Sequence, residues 1–284
     1  MIPPRPGAGR VSELALRTAS SVVLIAAALA AAYVGGLFFA AFWILAGVAV
    51  GVEWAWLVAG DPPSRRWTAR VVAATLGVAG AALSLSIYLY VAPVTAAFVL
   101  LAGAVVAAFL ARPAYFAAVA IPYGAAVFVG AMLLRRDPHD GLLAILWLFA
   151  VVWSTDIAAF FAGRAFGGPK LAPLLSPNKT WSGAIGGATA AVAAGVAVAA
   201  GGGAARLWPI VVVALVTSAA SQFGDLFESG VKRAYGAKDS SKLIPGHGGL
   251  MDRLDGFLFA ATVAAAIGVA RGGLDAAGEG LLRW

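Results

Sequence analysis

The chain has 284 residues, 62% of them hydrophobic and only 12% charged, with a net charge of +7 and a mean hydropathy of +0.91. Soluble globular domains are about 45–50% apolar and about 25% charged, so too little polar side chain is present to cover even one soluble domain. An ordinary cytosolic enzyme and a disordered chain are excluded. The absence of cysteine also excludes disulfides, thiolate metal sites and Cys nucleophiles.

In chain order, nine segments hold the run of about 20 mostly apolar residues that crosses a hydrocarbon core: 18–34, 37–59, 71–91, 94–111, 114–134, 141–162, 181–200, 207–228 and 252–270. Turn chemistry separates them at Asp61-Pro62-Pro63, Arg112-Pro113 and Arg135-Arg136-Asp137-Pro138. The expectation is an all-α polytopic membrane helix bundle of about nine transmembrane helices with no soluble domain. Residues 1–140 would form about five spans, and residues 141–284 about four. The first span follows Arg5, Arg10 and Arg17 and is read as a retained helix, not a cleaved signal. Ala- and Gly-rich 181–200 predicts close helix contact, since small residues let backbones approach.

With the amino terminus inside, 15 of the 20 Lys and Arg fall on the inner side: Arg5, Arg10, Arg17, Arg65, Arg66, Arg70, Arg112, Arg164, Lys170, Lys179, Lys232, Arg233, Lys238, Lys242 and Arg253. This bias places loops 163–180 and 229–251 in the cytoplasm. The basic excess is read as headgroup-facing, with no nucleic-acid partner.

Ionisable groups inside a span are costly and ask for a reason. They concentrate late in the chain: Asp156, Asp225, Glu228, Asp252 and Asp255, with Glu53 alone in the second span. In the eighth span Ser221, Asp225, Glu228, Ser229 and Lys232 fall along one helical stripe. A solvated helix end with charge pairs three and four residues apart is the plain alternative. Asp252 and Asp255 share a face at the start of the ninth span, where carboxylates also suit the helix dipole. Three converging carboxylates repel unless a cation sits among them, and carboxylate oxygens suit a hard ion such as Mg²⁺. The predicted metal ligands are Asp225, Asp252 and Asp255.

Between these spans, Lys232, Arg233, Lys238 and Lys242 stand beside the carboxylates. Gly246, Gly248 and Gly249 offer backbone N–H groups to phosphate. Alone, His247 is read as a loop hydrogen-bonder. Ser176-Pro177-Asn178-Lys179-Thr180 before the seventh span is either an anion site or an ordinary capped helix. It is not a P-loop.

Residues 229–255 resemble the signature of the phosphatidate cytidylyltransferase (CDP-diacylglycerol synthase) family, from Ser229, Lys232 and Arg233 through Lys238, Asp239, Ser241, Ile244, Pro245, His247, Gly248 and Gly249 to Asp252, Arg253 and Asp255. Asp156 to Gly183 is similar to a second segment of that family, although Ser182 stands where an acidic residue is expected. The resemblance covers about residues 150–260. It implies a cytosol-facing enzyme that converts CTP and phosphatidate to CDP-diacylglycerol and pyrophosphate; the high Ala, Gly and Arg content points to a prokaryote and hence its plasma membrane. The resemblance also implies Mg²⁺, a second cation such as K⁺, and a homodimer. By the same match Asp225, Ser229, Lys232, Asp252 and Asp255 are expected to be catalytic; from their charge and placement Lys238 is expected to join them, with Ser176, Lys179, Thr180, Arg233, Lys242, His247 and Arg253 binding substrate.

Three rivals make different demands. A cation-coupled transporter needs a polar path through the membrane and would welcome Glu53. A CDP-alcohol phosphotransferase needs a D-G-x2-A-R motif that the chain lacks. A lipid or polyprenol kinase would share a metal site at the membrane edge but use another phosphoryl donor.

Overall fold

A computed structural model describes residues 8–58, 62–88, 94–110, 114–244 and 248–284. Arg5, Asp61, Arg112, Pro113, Pro245, Gly246 and His247 lie outside them. Each of the nine apolar segments lies on a helix: α1 (Ala8–Val34), α2 (Gly36–Val58), α3 (Pro62–Tyr88), α4 (Val94–Leu110), α5 (Ala114–Arg135), α6 (Gly141–Phe166), α7 (Trp181–Gly201), α8 (Trp208–Ala234) and α9 (Met251–Gly272), followed by the short α10 (Ala277–Leu282). Among the described residues, seven helices are long and apolar enough to cross a membrane; α1 and α4 carry the shorter apolar stretches Thr18–Val34 and Ala97–Phe109. The chain is an integral membrane protein. Its exposed apolar side chains, such as Phe38, Leu45, Phe98 and Phe109, form the surface that lipid tails would cover, where no hydrophobic penalty arises.

Two departures from expectation shape the polar edge. The loop 163–180 is not irregular: β1 (Lys170–Ala172) and β2 (Ser176–Thr180) form an antiparallel hairpin, with Lys170 opposite Thr180 and Ala172 opposite Ser176. Helix α8 runs on to Ala234, beyond the expected end at 228, so its acidic and basic residues are carried on one rigid element.

The core is aromatic where α2, α5, α6, α8 and α9 meet. Trp43 stacks on Phe257 at 4.5 Å between ring centroids, Trp54 lies 4.7 Å from Tyr123, and Phe227 lies 5.6 Å from Phe259. Such pairs add to the burial of their large apolar surfaces.

At one edge of the bundle, the α5–α6 turn meets the end of the chain. Asp137 is buried and accepts the amides of His139 (2.9 Å), Asp140 (3.0 Å) and Glu279 (2.7 Å). The end of α8 and the start of α9 lie at the opposite edge together with the hairpin, and there the cavity opens.

Candidate active site

Close backbone approach sets the geometry of this second edge. A Cβ on Gly224 would overlap the carbonyl oxygen of Asp255, and one on Gly256 would sit 2.5 Å from Ser221 Oγ. Glycine at both positions lets α8 and α9 touch, and this contact brings Asp225, Glu228, Asp252 and Asp255 around one space. Helix α7 lies as tightly on α6: a Cβ on Gly183 would be 2.8 Å from the Ala159 carbonyl, and one on Gly187 2.7 Å from that of Thr155. The close contact expected for 181–200 is therefore present. Beneath the site, the Thr155 hydroxyl on α6 donates to Ser218 Oγ on α8 (2.9 Å), and Gln222 Nε2 donates to the Ala184 carbonyl on α7 (3.3 Å).

The cavity has a volume of about 900 Å³ and is lined by Asp156, Asp225, Glu228, Asp239, Asp252 and Asp255, facing Arg164, Lys170, Lys179, Lys232 and Arg253. Like charges so concentrated are tolerable only when interleaved with cations, and the pairing shows this. Lys179 from β2 reaches across to Asp225 on α8. Lys232 lies 2.6 Å from Glu228 Oε2 and 2.6 Å from Asp252 Oδ1, so one cation serves two carboxylates.

The carboxylates differ in what remains available on them. Asp252 is fully engaged: besides Lys232 it accepts the Ser240 amide (3.0 Å), the Ser240 hydroxyl (3.0 Å) and the Gly249 amide (2.8 Å). Asp255 accepts the amide of its neighbour Gly256 (2.8 Å). Glu228 is completely buried, and among the described residues its Oε1 has no hydrogen-bond donor. A buried carboxylate oxygen without a donor marks a place for water or a cation.

Asp225, Asp252, Asp255, Lys179, Lys232, Thr180 and Arg253 line this one cavity, as expected of site residues; Ser176, Ser229, Arg233, Lys238 and Lys242 do not. Arg233 instead donates to the Ala237 carbonyl (3.5 Å). The Thr180 hydroxyl accepts the Gly183 amide (3.1 Å) and caps α7. The Gly249 amide expected to meet phosphate is used by Asp252.

The expected three-carboxylate ligand set is also modified. Among the described residues, no group of three acidic or imidazole side chains is gathered closely enough to hold an ion by itself, and Asp252 is engaged by its own loop. Mg²⁺ is commonly held by one or two carboxylates with substrate phosphates and water. Asp225 and Asp255, hard oxygen donors lining an open cavity, fit that mode.

Asp156, Arg164, Lys170 and Asn178, none of them among the expected site residues, also line the cavity. Arg164 was legible as the one cation in the last turn of α6. Its guanidinium lies 5.2 Å from the centroid of the exposed Phe160 ring.

Comparison with known proteins gives this geometry a family. The model of the cytidylyltransferase family matches residues 15–270, and the chain belongs to that family. A phosphatidate cytidylyltransferase of Brucella suis is 63% identical over 131 residues, 46% of this chain and 48% of the relative. The Haemophilus influenzae protein of the same name is 46% identical over 125 residues, 42% and 43% of the two chains. That of Staphylococcus saprophyticus is 40% identical over 141 residues, 47% and 52%. The chain thus spans about half the length of the curated relatives it matches.

Proposed function

We propose that the cavity takes CTP and phosphatidate and joins them as CDP-diacylglycerol with release of pyrophosphate. The observation that carries this reading is the interleaving of carboxylates with Lys179, Lys232 and Arg253 in one open cavity at a membrane edge. Family membership and the names of the relatives support it.

The chemistry asks for such a site. An anionic phosphate oxygen of phosphatidate attacks the α-phosphorus of CTP; the new P–O bond forms as the bond to the β-phosphate oxygen breaks, and pyrophosphate leaves with the electron pair. The nucleophile needs no deprotonation, so no Ser–His arrangement is required. His139 lies at the opposite edge, where its amide donates to Asp137. The difficulty is electrostatic: two polyanions must be held in line. Lys232, fixed between Glu228 and Asp252, offers a cation whose position is set in advance. Lys179, on a hairpin and paired with Asp225, can exchange that partner for a triphosphate. Arg164, over an exposed aromatic ring, suits the lipid phosphate at the membrane-facing rim. Asp225 and Asp255 would hold Mg²⁺, which when bound supplies neutralisation of phosphate charge.

A transporter would need the polar path to continue, but Trp54, Tyr123, Phe227 and Phe259 pack together among α2, α5, α8 and α9. The cytoplasmic orientation follows from the Lys and Arg bias. Because the chain has no cysteine, Leu174→Cys in the hairpin turn, a highly exposed position, is expected to label only from the cytoplasmic side of a prokaryotic plasma membrane. The homodimer and a second cation such as K⁺ rest on the family resemblance; crosslinking and activity with and without K⁺ test them.

The reaction itself is tested with purified protein, phosphatidate in mixed micelles, Mg²⁺ and labelled CTP. Label is expected in a CDP-lipid, with one pyrophosphate released per lipid formed. Absence of labelled lipid under conditions that support the fold would overturn the reading.

A further inference from the structure

Glu53 is a carboxylate on α2, only 2% exposed and far in sequence from the segment that forms the cavity. Burial of such a group within a span is expensive, so its partners must compensate. Among the described residues it has four, from Ser240, Ser241, Leu250 and Met251. Oε1 accepts the Ser241 hydroxyl (2.7 Å) and the Leu250 amide (3.0 Å); Oε2 accepts the Ser240 hydroxyl (3.0 Å) and the Met251 amide (2.7 Å). Hydrogen bonds to an ionised acceptor are the stronger kind.

Two of these donors are the first amides of α9, a helix whose own N-cap residue, Leu250, has no capping side chain. Exposed N-terminal amides need an acceptor, and a negative charge there also complements the helix dipole. Glu53 supplies both from another helix. The approach is close enough to dictate the neighbouring residue: a Cβ on Gly249 would lie 2.5 Å from Glu53 Oε2. Gly248 adopts φ +83°, which disfavours other residues there.

The linkage continues into the cavity. The Ser240 hydroxyl lies 3.0 Å from both Glu53 Oε2 and Asp252 Oδ2, and its single proton is shared between them. Asp252 in turn holds Lys232. Glu53, Ser240, Asp252 and Lys232 therefore form one continuous chain from the N-terminal half of the protein to the cavity wall.

We infer that Glu53 is a positioning residue for the transfer reaction: it clamps Ser240 and Ser241 to the start of α9 at Leu250 and Met251, so that Asp252 and Lys232 keep their places. The effect on rate rests on the function proposed above; the clamp itself does not.

The test uses the full chain in detergent and two readouts, amide deuterium exchange and steady-state kinetics. Glu53→Gln is expected to raise exchange at 240–251 about tenfold or more, with α5 and α6 unchanged. It should lower kcat about 10–100-fold while KM for CTP moves less than about threefold, as misplacement of a catalytic group does. Ser241→Ala removes one donor from the loop side and leaves the buried carboxylate in place; a smaller change in both readouts, about 3–10-fold, is expected. This variant decides the matter if Glu53→Gln does not fold. Wild-type exchange at 240–251 in the folded variants would overturn the clamp, and raised exchange with unchanged kcat would overturn the positioning role. Raised exchange in a protein whose wild type transfers no cytidylyl group would uphold the clamp and fail only the assigned reaction.

Discussion

Where α10 ends, Arg283 grips Asp140 with two nitrogens (Nε to Oδ2 2.8 Å, Nη2 to Oδ1 2.7 Å) and reaches the Gly202 carbonyl with Nη1 (2.9 Å). Asp140 holds that guanidinium above its already high ordinary pKa, so it is cationic at any physiological pH. Nearby, Arg136 pairs with Asp275 at 2.5 Å. At the cavity edge, by contrast, a single Lys232 answers both Glu228 and Asp252, Asp225 pairs with Lys179 on the hairpin, and among the described residues Glu228 keeps an oxygen without a donor. Two arginines at the first edge are each matched to one carboxylate, and these pairs help close the end of the bundle. Charges at the second are left in surplus around an open space. Paired charge stabilises a fold, and surplus charge held in place is a binding site for something of the opposite sign.

This contrast can be broken first at its strongest point. Asp225→Asn and Asp255→Asn are each expected to lower kcat by about 10³-fold or more, the scale of losing a key electrostatic group. Because each removes a charge from among its like, the unfolding midpoint should stay level or rise. A midpoint that falls by many degrees would assign these carboxylates to the fold rather than the chemistry. Lys232→Ala should cost about 10²-fold in kcat and also lower the unfolding midpoint, since it leaves Glu228 and Asp252 buried without their shared cation; thermal denaturation with activity assays separates the two effects. Lys179→Ala is expected to raise KM for CTP about tenfold with a smaller change in kcat, the pattern of a lost binding contact. Arg283→Ala should leave kcat unchanged. With more than a third of that side chain exposed, water screens the pair, and a loss of about 1–2 kcal/mol of stability is expected.

Much of this was legible beforehand, for physical reasons. Apolar runs declare themselves, and among the described residues each of the nine expected segments falls on a helix to within a residue; only the membrane-length count is lower, because the apolar parts of α1 and α4 are short. The α8 stripe was readable because 100° per residue places Asp225, Glu228 and Lys232 on one face. The hairpin was missed because Ser-Pro-Asn-Lys-Thr has the composition of a loop; its strand pairing depends on Lys170 meeting Thr180 across a turn. Sequence shows that Asp252 and Asp255 share a helix face, but not that the Ser240 and Gly249 amides bond Asp252. The role of Glu53 could not be read, since its partners lie 187 or more residues away. Its signal was only that it stands alone as an acidic residue inside the early spans.

The central claim is that a nucleoside triphosphate sits among the charges shared by α6, α8, α9 and the hairpin. A structure determined with Mg²⁺ and a CTP analogue that cannot be cleaved between the α- and β-phosphates tests it most directly. The account predicts triphosphate density within contact distance of Lys179 and Lys232, with the divalent ion on Asp225 or Asp255. Triphosphate bound elsewhere on the protein, with Lys179 still on Asp225 and the cavity holding only water, would contradict it.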